Sequence, residues 1–140
     1  MDPVVHFEFP YDDRERIAKF YQSVFGWELR MLGEDMGNYV VVTTAKPGGP
    51  SRPDAAPGAI GGGFFKRNPE WPAQYPSVVI AVQDIKAAMK KVNGAGGKVL
   101  GEPMLIPGIG DYVSFYDTEQ NRVSLLQPLQ TMEVRNTGSS

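Results

Sequence analysis

The chain has 140 residues, enough for one domain or for two small halves that share one core. Its formal net charge of −2, with no run of like charges, gives no electrostatic support for a nucleic-acid or anionic-membrane partner. The chain has no cysteine, which excludes disulfides, thiol nucleophiles and thiolate metal sites and is compatible with the cytoplasmic location that we predict. No apolar run approaches the ~20 residues of a membrane span, and we expect no signal peptide.

The first predicted strand, residues 4–9, has two different faces. His6, the single histidine of the chain, and Glu8 lie on one face, and apolar residues alternate with them on the other. Pro10 ends the strand or places it at a bend. The pattern indicates a half-buried strand whose polar side faces something other than the core.

The first predicted helix follows directly. Asp12 can accept its free amides, Glu15 lies three residues later at capping-box spacing, and Gly26 is the expected stop. The apolar residues at helical spacing are Ile17, Phe20, Tyr21, Val24 and Phe25. We expect this stripe to cover the apolar face of the first strand.

The remaining predicted elements are short. The predicted strands are residues 27–31, 38–44, 59–65, 77–82, 98–105, 111–116 and 122–127. A second helix begins at Asp84 and ends at the glycines of residues 94–97. Three successive glycines at residues 61–63 indicate a bulge or a close backbone approach, and Pro103 restricts its strand to a sheet edge or a bulge.

Three segments are predicted to be irregular. Residues 45–58, rich in glycine and proline, are expected to form a long surface loop, either a plain solvated connection or a lid over a pocket. Residues 66–76 are expected to cross between the two halves, and residues 131–140 to form a frayed tail.

The predicted elements repeat as β-α-β-β-β in each half of the chain. Asp13 and Asp84 both open a helix. At the same offset along the chain, Gly26 and Gly97 both close one. An internal repeat of this kind determines the architecture, because each copy builds the same supersecondary unit.

We therefore predict an α+β fold of two tandem βαβββ modules. Their strands are expected to form a curved, mixed β-sheet that encloses a cleft and carries a helix on each outer face. Module one spans residues 3–66, module two spans residues 75–128, and together they make one domain, residues 1–130.

Three stretches carry a family resemblance, and they read HFEFPYDDRERIAKFYQSVFGW, VVIAVQDIKAAMKKVNGAGGKVL and VSFYDTEQNRVSLLQP. The first resembles the opening strand, acidic cap and helix end of the glyoxalase, bleomycin-resistance and extradiol-dioxygenase group, also called the vicinal oxygen chelate superfamily. The last resembles the closing hairpin of that group. The resemblance covers residues 4–128 and implies a glyoxalase-related protein, commonly a homodimer. It implies no single activity, because one fold hosts many reactions.

Metal-using members of this group hold one divalent ion with four side chains, which come from the first and last strands of each half. The matching positions in this chain are His6, Gly61 (with Gly62 as the alternative), Ser77 and Ser124. A serine hydroxyl is a poor ligand and glycine offers none, whereas a catalytic divalent-metal site needs about three protein ligands. The resemblance thus implies a degenerate site, and we predict neither a bound metal nor another cofactor.

The predicted pocket follows from the repeat and from the strand faces. Its expected lining residues are Tyr39, Val41, Ser77, Val79, Tyr112, Ser114, Ser124 and Leu126. With His6 and Glu8, the candidate catalytic pair, they suit a small organic molecule that has an apolar or aromatic body. The alternative is that these side chains only fill the space that the metal left.

Two functions from different classes are open. The first is a metal-free domain that binds a small apolar or aromatic compound, as the resistance-type members do. The second is a lyase, isomerase or dioxygenase that depends on a metal, or that uses His6 and Glu8 for proton transfer. His6 has two matching interpretations: a histidine hydrogen-bonded to a neighbour, or a general base or ligand anchor with a pKa near ~6.5.

Overall fold

The computed structural model of the chain describes residues 1–45 and 58–129. Apart from residues 45 and 58 themselves, the predicted loop 45–58 lies outside the described residues, and so does the predicted tail 131–140. The described residues form eight strands and two α-helices, and neither helix is long and apolar enough to cross a membrane. The chain divides into two compact units.

The unit of residues 5–78 combines one helix with four strands. Its elements are β1 (Val4–Tyr11), α1 (Arg14–Phe25), β2 (Glu28–Met31), a 3-10 turn (Glu34–Met36), β3 (Val40–Thr43) and β4 (Gly61–Lys66). The strand order is β2-β3-β4-β1. Strands β1 and β4 are parallel, and the other neighbours are antiparallel.

The unit of residues 1–4 and 79 onward repeats this plan. Its elements are β5 (Ser77–Ala81), α2 (Ile85–Gly94), β6 (Lys98–Ile106), β7 (Gly110–Tyr116) and β8 (Arg122–Pro128). The strand order is β5-β8-β7-β6, with β5 and β8 parallel and the other neighbours antiparallel. The predicted α+β class and the β-α-β-β-β repeat are confirmed.

The proline in β6 has the position that was predicted for it. Strand β6 lies at the edge of its four strands, and its pairing with β7 shifts register between Leu100 and Met104. Pro103 falls inside that shift, where its missing N–H interrupts no regular ladder.

The cap of α1 lies one residue after the Asp12 of the capping-box prediction, at the Asp13 that the repeat predicts to open the helix. Asp13, not Asp12, is the N-cap, and its side chain accepts from the backbone N–H of Arg16 at 3.1 Å. Asp12 instead forms an exposed ion pair with Arg67 at 3.0 Å. The cap must have extended dihedrals directly before the first helical residue, and β1 continues through Tyr11, so the cap falls on the second aspartate.

The buried stripe of α1 is narrower than predicted. Ile17 and Tyr21 pack against the core as expected, and the Tyr21 ring lies 5.8 Å from the ring of Phe9 on β1. The predictions for the other three stripe residues were wrong, since Phe20, Val24 and Phe25 are 53%, 55% and 60% exposed. Ala18 is the buried residue of α1, and the ring of Phe25, the last residue of the helix, lies 6.0 Å from that of Tyr21 and 5.8 Å from that of Trp27.

Each unit has its own apolar core. In the first, Tyr11, Val40, Val42 and Phe64 are buried between the sheet and α1. In the second, α2 packs through Ile85 on the apolar side chains of β7 and β8, among them Val113, Phe115 and Leu125. These cores lie on one face of each four-stranded sheet and leave the polar residues of β1 and β8 on the other face.

Candidate functional site

Three side chains of the first unit meet on the polar face of its sheet. His6 and Glu8 project from β1, and Tyr39 precedes β3. The Tyr39 hydroxyl lies 3.0 Å from His6 Nε2 and 3.3 Å from Glu8 Oε2. The three form a continuous hydrogen-bonded chain with the phenol in the middle. Glu8 is only 9% exposed, so its carboxyl is held in a site where such partners are needed.

The glycines of β4 make room for this chain. Gly61 pairs with His6 and Gly63 pairs with Glu8 along the parallel β1–β4 ladder. A Cβ atom on Gly63 would overlap the phenol of Tyr39, so that ring lies directly over the glycine backbone. The close approach that the three glycines indicated is therefore the approach of the Tyr39 ring.

Gly62, the middle glycine, makes room for a side chain on the opposite face of the sheet. A Cβ atom on Gly62 would lie 2.5 Å from three ring atoms of Phe7, on the apolar side of β1. Gly62 therefore lets the Phe7 ring pack closely on the sheet. One glycine run thus supports a polar site on one face and an aromatic core on the other.

Burial lowers the pKa of His6 below its ordinary value. The imidazolium form loses hydration in this partly buried position, so the neutral form is favoured. His6 is therefore neutral at pH 7, and it can act as a hydrogen-bond acceptor or a base rather than as a positive charge.

A concavity of about 490 Å³ lies on the same face, towards the edge strand β2. It is lined by Glu28, Leu29, Arg30, Val41 and Thr43. Arg30 pairs with Val41, and Val41 pairs with Gly63. Since Gly63 in turn pairs with Glu8, a row of residues runs across four strands, over roughly 14 Å at ~4.8 Å per strand spacing. The concavity and the hydrogen-bonded chain thus share one sheet surface.

The second unit contains a cluster of three hydroxyl groups. The Ser124 hydroxyl lies 2.8 Å from that of Tyr112 and 3.0 Å from that of Ser114. Ser114 and Ser124 are buried, and Val79 pairs with Ser124 on the neighbouring strand. Ser124 thus joins the three hydroxyl groups into one hydrogen-bonded cluster.

The structure groups the predicted site residues by unit. His6, Glu8, Tyr39, Val41 and Gly61 share the polar face of the first sheet. Tyr112, Ser114 and Ser124 form the hydroxyl cluster of the second unit. In that unit Leu126 pairs with Tyr112 and Ala81. Ser77 is the first residue of β5 and is half-buried.

Glu28, Leu29 and Arg30 were not placed at this concavity by the sequence reasoning. The alternation in β2 could have placed Glu28 and Arg30 on one face. The alternation could not show how β2 pairs with β3, and this pairing places Glu28 and Arg30 on the same face of the sheet as His6.

The residues present do not fit the divalent ion that the family resemblance implies. Among residues 1–45 and 58–129, no group of three or more His, Asp or Glu side chains is placed to hold a metal. His6 Nε2 is hydrogen-bonded to the phenol of Tyr39. Two of the other matching positions carry Gly61, which has no side chain, and Ser124, whose hydroxyl is hydrogen-bonded to those of Tyr112 and Ser114. We derive no chemical step through a metal.

The lowered pKa of His6 predicts a pH dependence of stability. Below a pH of about 6.5 the unfolded chain binds more protons than the folded one, so the free energy of unfolding should fall as the pH decreases from ~7.5 to ~5.5. The contribution is fully present above the unfolded pKa. Replacing His6 with glutamine should flatten this part of the profile, as measured by urea denaturation at each pH. An equal slope in the two proteins would contradict the assignment.

Comparisons with known proteins agree with this architecture. Residues 4–45 match the family described as "Bleomycin resistance protein-like N-terminal". A "Glyoxylase-like domain-containing protein" of Didymella fabae is 31% identical over 115 residues, which cover 81% of this chain and 84% of that protein.

Two solved structures share the fold. Methylmalonyl-CoA epimerase from Mycobacterium tuberculosis superposes with a TM-score of 0.65 at 11% identity, over 94% of this chain and 91% of that one. The methylmalonyl-CoA epimerase of Streptomyces coelicolor, in complex with 2-nitronate-propionyl-CoA, gives 0.63 at 15% identity, over 89% and 96%. At these identities the likeness concerns the fold.

Proposed function

This chain belongs to the glyoxalase, bleomycin-resistance and vicinal oxygen chelate superfamily, and we propose that it is a metal-free member that binds a small apolar or aromatic compound. The observation that carries the proposal is the hydrogen-bonded chain of His6, Tyr39 and Glu8 beside a concavity on the same sheet face. A homodimer in the cytoplasm, with a small organic ligand as partner, is part of the same proposal.

The size and chemistry of the concavity support a small molecule. Its volume of about 490 Å³ lies within the ~300–1,000 Å³ of typical ligand sites. Val41 gives it an apolar side chain, while Glu28, Arg30 and Thr43 supply a few polar groups around it. Ligand sites combine these two features, because apolar contact provides affinity and polar groups determine orientation.

The second candidate function is an enzyme that moves a proton. A neutral imidazole that is hydrogen-bonded to a phenol, which in turn donates to a carboxyl, is an arrangement that can accept a proton from a bound substrate. In this function His6 would be the base, and Glu8 would act through Tyr39. The observation that favours it is the lowered pKa of His6, which leaves the imidazole unprotonated at pH 7. The reaction would be of the lyase, isomerase or dioxygenase classes of the family.

A ligand screen tests the binding proposal. We expect small aromatic compounds to raise the melting temperature of the wild-type protein, and calorimetry to show one site per chain. Tyr39→Phe should lower the affinity for such a ligand by about tenfold, the equivalent of ~1.4 kcal/mol, because the phenol contacts the ligand or positions His6. Lys90→Ala, on the exposed face of α2, is the control and should leave the affinity unchanged.

Metal titration tests the proposal that the protein binds no metal. Calorimetry with Mn²⁺, Ni²⁺, Zn²⁺ and Fe²⁺ should show no tight stoichiometric binding. Tight binding that His6→Ala abolishes would overturn the metal-free interpretation. A ligand that is chemically converted at a rate sensitive to His6→Ala would instead establish the enzyme function.

A further inference from the structure

The hydrogen bonds that join His6, Tyr39 and Glu8 must run in the same direction along the chain. The phenol of Tyr39 has a single hydrogen, and both His6 Nε2 and Glu8 Oε2 lie within hydrogen-bond distance of its oxygen. The contact with Glu8 has the phenol as its donor and the carboxyl oxygen Oε2 as its acceptor. The phenol therefore donates to Glu8, and its oxygen is left to accept from His6.

This direction determines the tautomer of His6. For the 3.0 Å contact to be a hydrogen bond, Nε2 must carry the hydrogen that it donates to the Tyr39 oxygen. In a neutral imidazole the other nitrogen, Nδ1, then carries a lone pair and no hydrogen. The tautomer thus follows from the hydrogen-bond network around Nε2.

The second nitrogen is accessible. Within residues 1–45 and 58–129, the hydrogen bond of the His6 side chain is the one at Nε2. In that same part of the chain, no buried side-chain nitrogen or oxygen lacks a hydrogen-bond partner. Nδ1 therefore reaches solvent, and it presents an acceptor to whatever occupies this face of the sheet.

We propose that His6 Nδ1 is the acceptor for the ligand, and that the ligand is a compound with a weakly acidic O–H or N–H group, such as a phenol, an enol or an imide. The inference rests on the proposed function and names its ligand class. A carboxylate or a bare carbonyl would meet the Nδ1 lone pair as a second acceptor and would be disfavoured.

The tautomer can be measured without any ligand. His6 is the single histidine of the chain, so a long-range ¹H–¹⁵N spectrum of ¹⁵N-labelled protein contains one pair of imidazole nitrogens. At pH 7.5 we expect Nε2 at the position of a protonated nitrogen and Nδ1 at that of an unprotonated one. Tyr39→Phe should move both resonances towards the average of the two tautomers. A hydrogen on Nδ1 in the wild-type protein would overturn the proposal.

A matched pair of probes tests the ligand class. We expect 2-naphthol to bind at least about tenfold more tightly than 2-methoxynaphthalene, because only the first can donate to Nδ1. Its binding should also shift the Nδ1 resonance. Equal affinities, or tighter binding of the methyl ether, would overturn the inference.

The outcomes separate this inference from the proposed function. If the compound screen yields only ligands without an O–H or N–H donor, the inference fails and the binding function stands. If neither naphthalene probe nor any screened compound binds, the ligand class and the binding function fail together.

Discussion

Replacing Gly63 with alanine is expected to lower the free energy of unfolding by about 1–3 kcal/mol and to break the His6–Tyr39–Glu8 chain. The new Cβ atom would overlap the Tyr39 phenol, and the rigid ring would have to leave the sheet surface. The hydrogen bonds of the phenol to His6 and to Glu8 would then be lost. Urea denaturation measures the stability, and the imidazole ¹⁵N shifts of His6 report the loss of its partner.

A double-mutant cycle separates this contact from a general effect of alanine. In a Tyr39→Ala background the space above Gly63 is empty, so Gly63→Ala should be nearly neutral. We expect a coupling of at least ~1 kcal/mol between the two positions. Gly94→Ala is the control, since a Cβ atom there meets no atom within 4 Å, and it should stabilise the helix slightly. Additive effects at positions 39 and 63 would show that the ring does not lie over this glycine.

Replacing Phe64 with alanine is expected to have the largest effect on stability, a loss of about 3–5 kcal/mol. Phe64 is 0% exposed and lies at the centre of the first core. Its ring centroid is 6.0 Å from that of Phe9 and 5.4 Å from that of Tyr21, so the cavity would separate β1, β4 and α1. The measurement is the free energy of unfolding from urea denaturation.

Phe20→Ala is the matched control for this substitution. Phe20 is 53% exposed and touches Tyr21 edge-on, so its truncation should cost about 1 kcal/mol or less. If Phe64→Ala does not fold, Phe64→Leu keeps most of the volume and should still cost more than the Phe20 variant. Equal costs at the two positions would contradict the placement of the core.

Local patterns in the chain predicted the elements and most of their faces. The alternation of β1 placed His6 and Glu8 together on its polar face. The glycine run predicted a close approach to the backbone, but it did not indicate which residue makes that approach. The one-residue error at Asp12 and the exposed Phe20, Val24 and Phe25 show the limit of periodicity, which marks a helical stripe but not the width that the sheet covers.

The sequence by itself determined the βαβββ repeat, the polar face of β1 and the absence of ligands at most of the family's metal positions, since these depend on residue types and short spacings. Only the tertiary structure decided that Tyr39 bridges His6 and Glu8, that Gly63 makes this possible, and that Glu28, Arg30 and Thr43 line a concavity on the same face. The physical reason is the strand order β2-β3-β4-β1. It brings together residues that are far apart along the chain, as in the pair of Glu8 and Gly63, and no local pattern specifies such pairings.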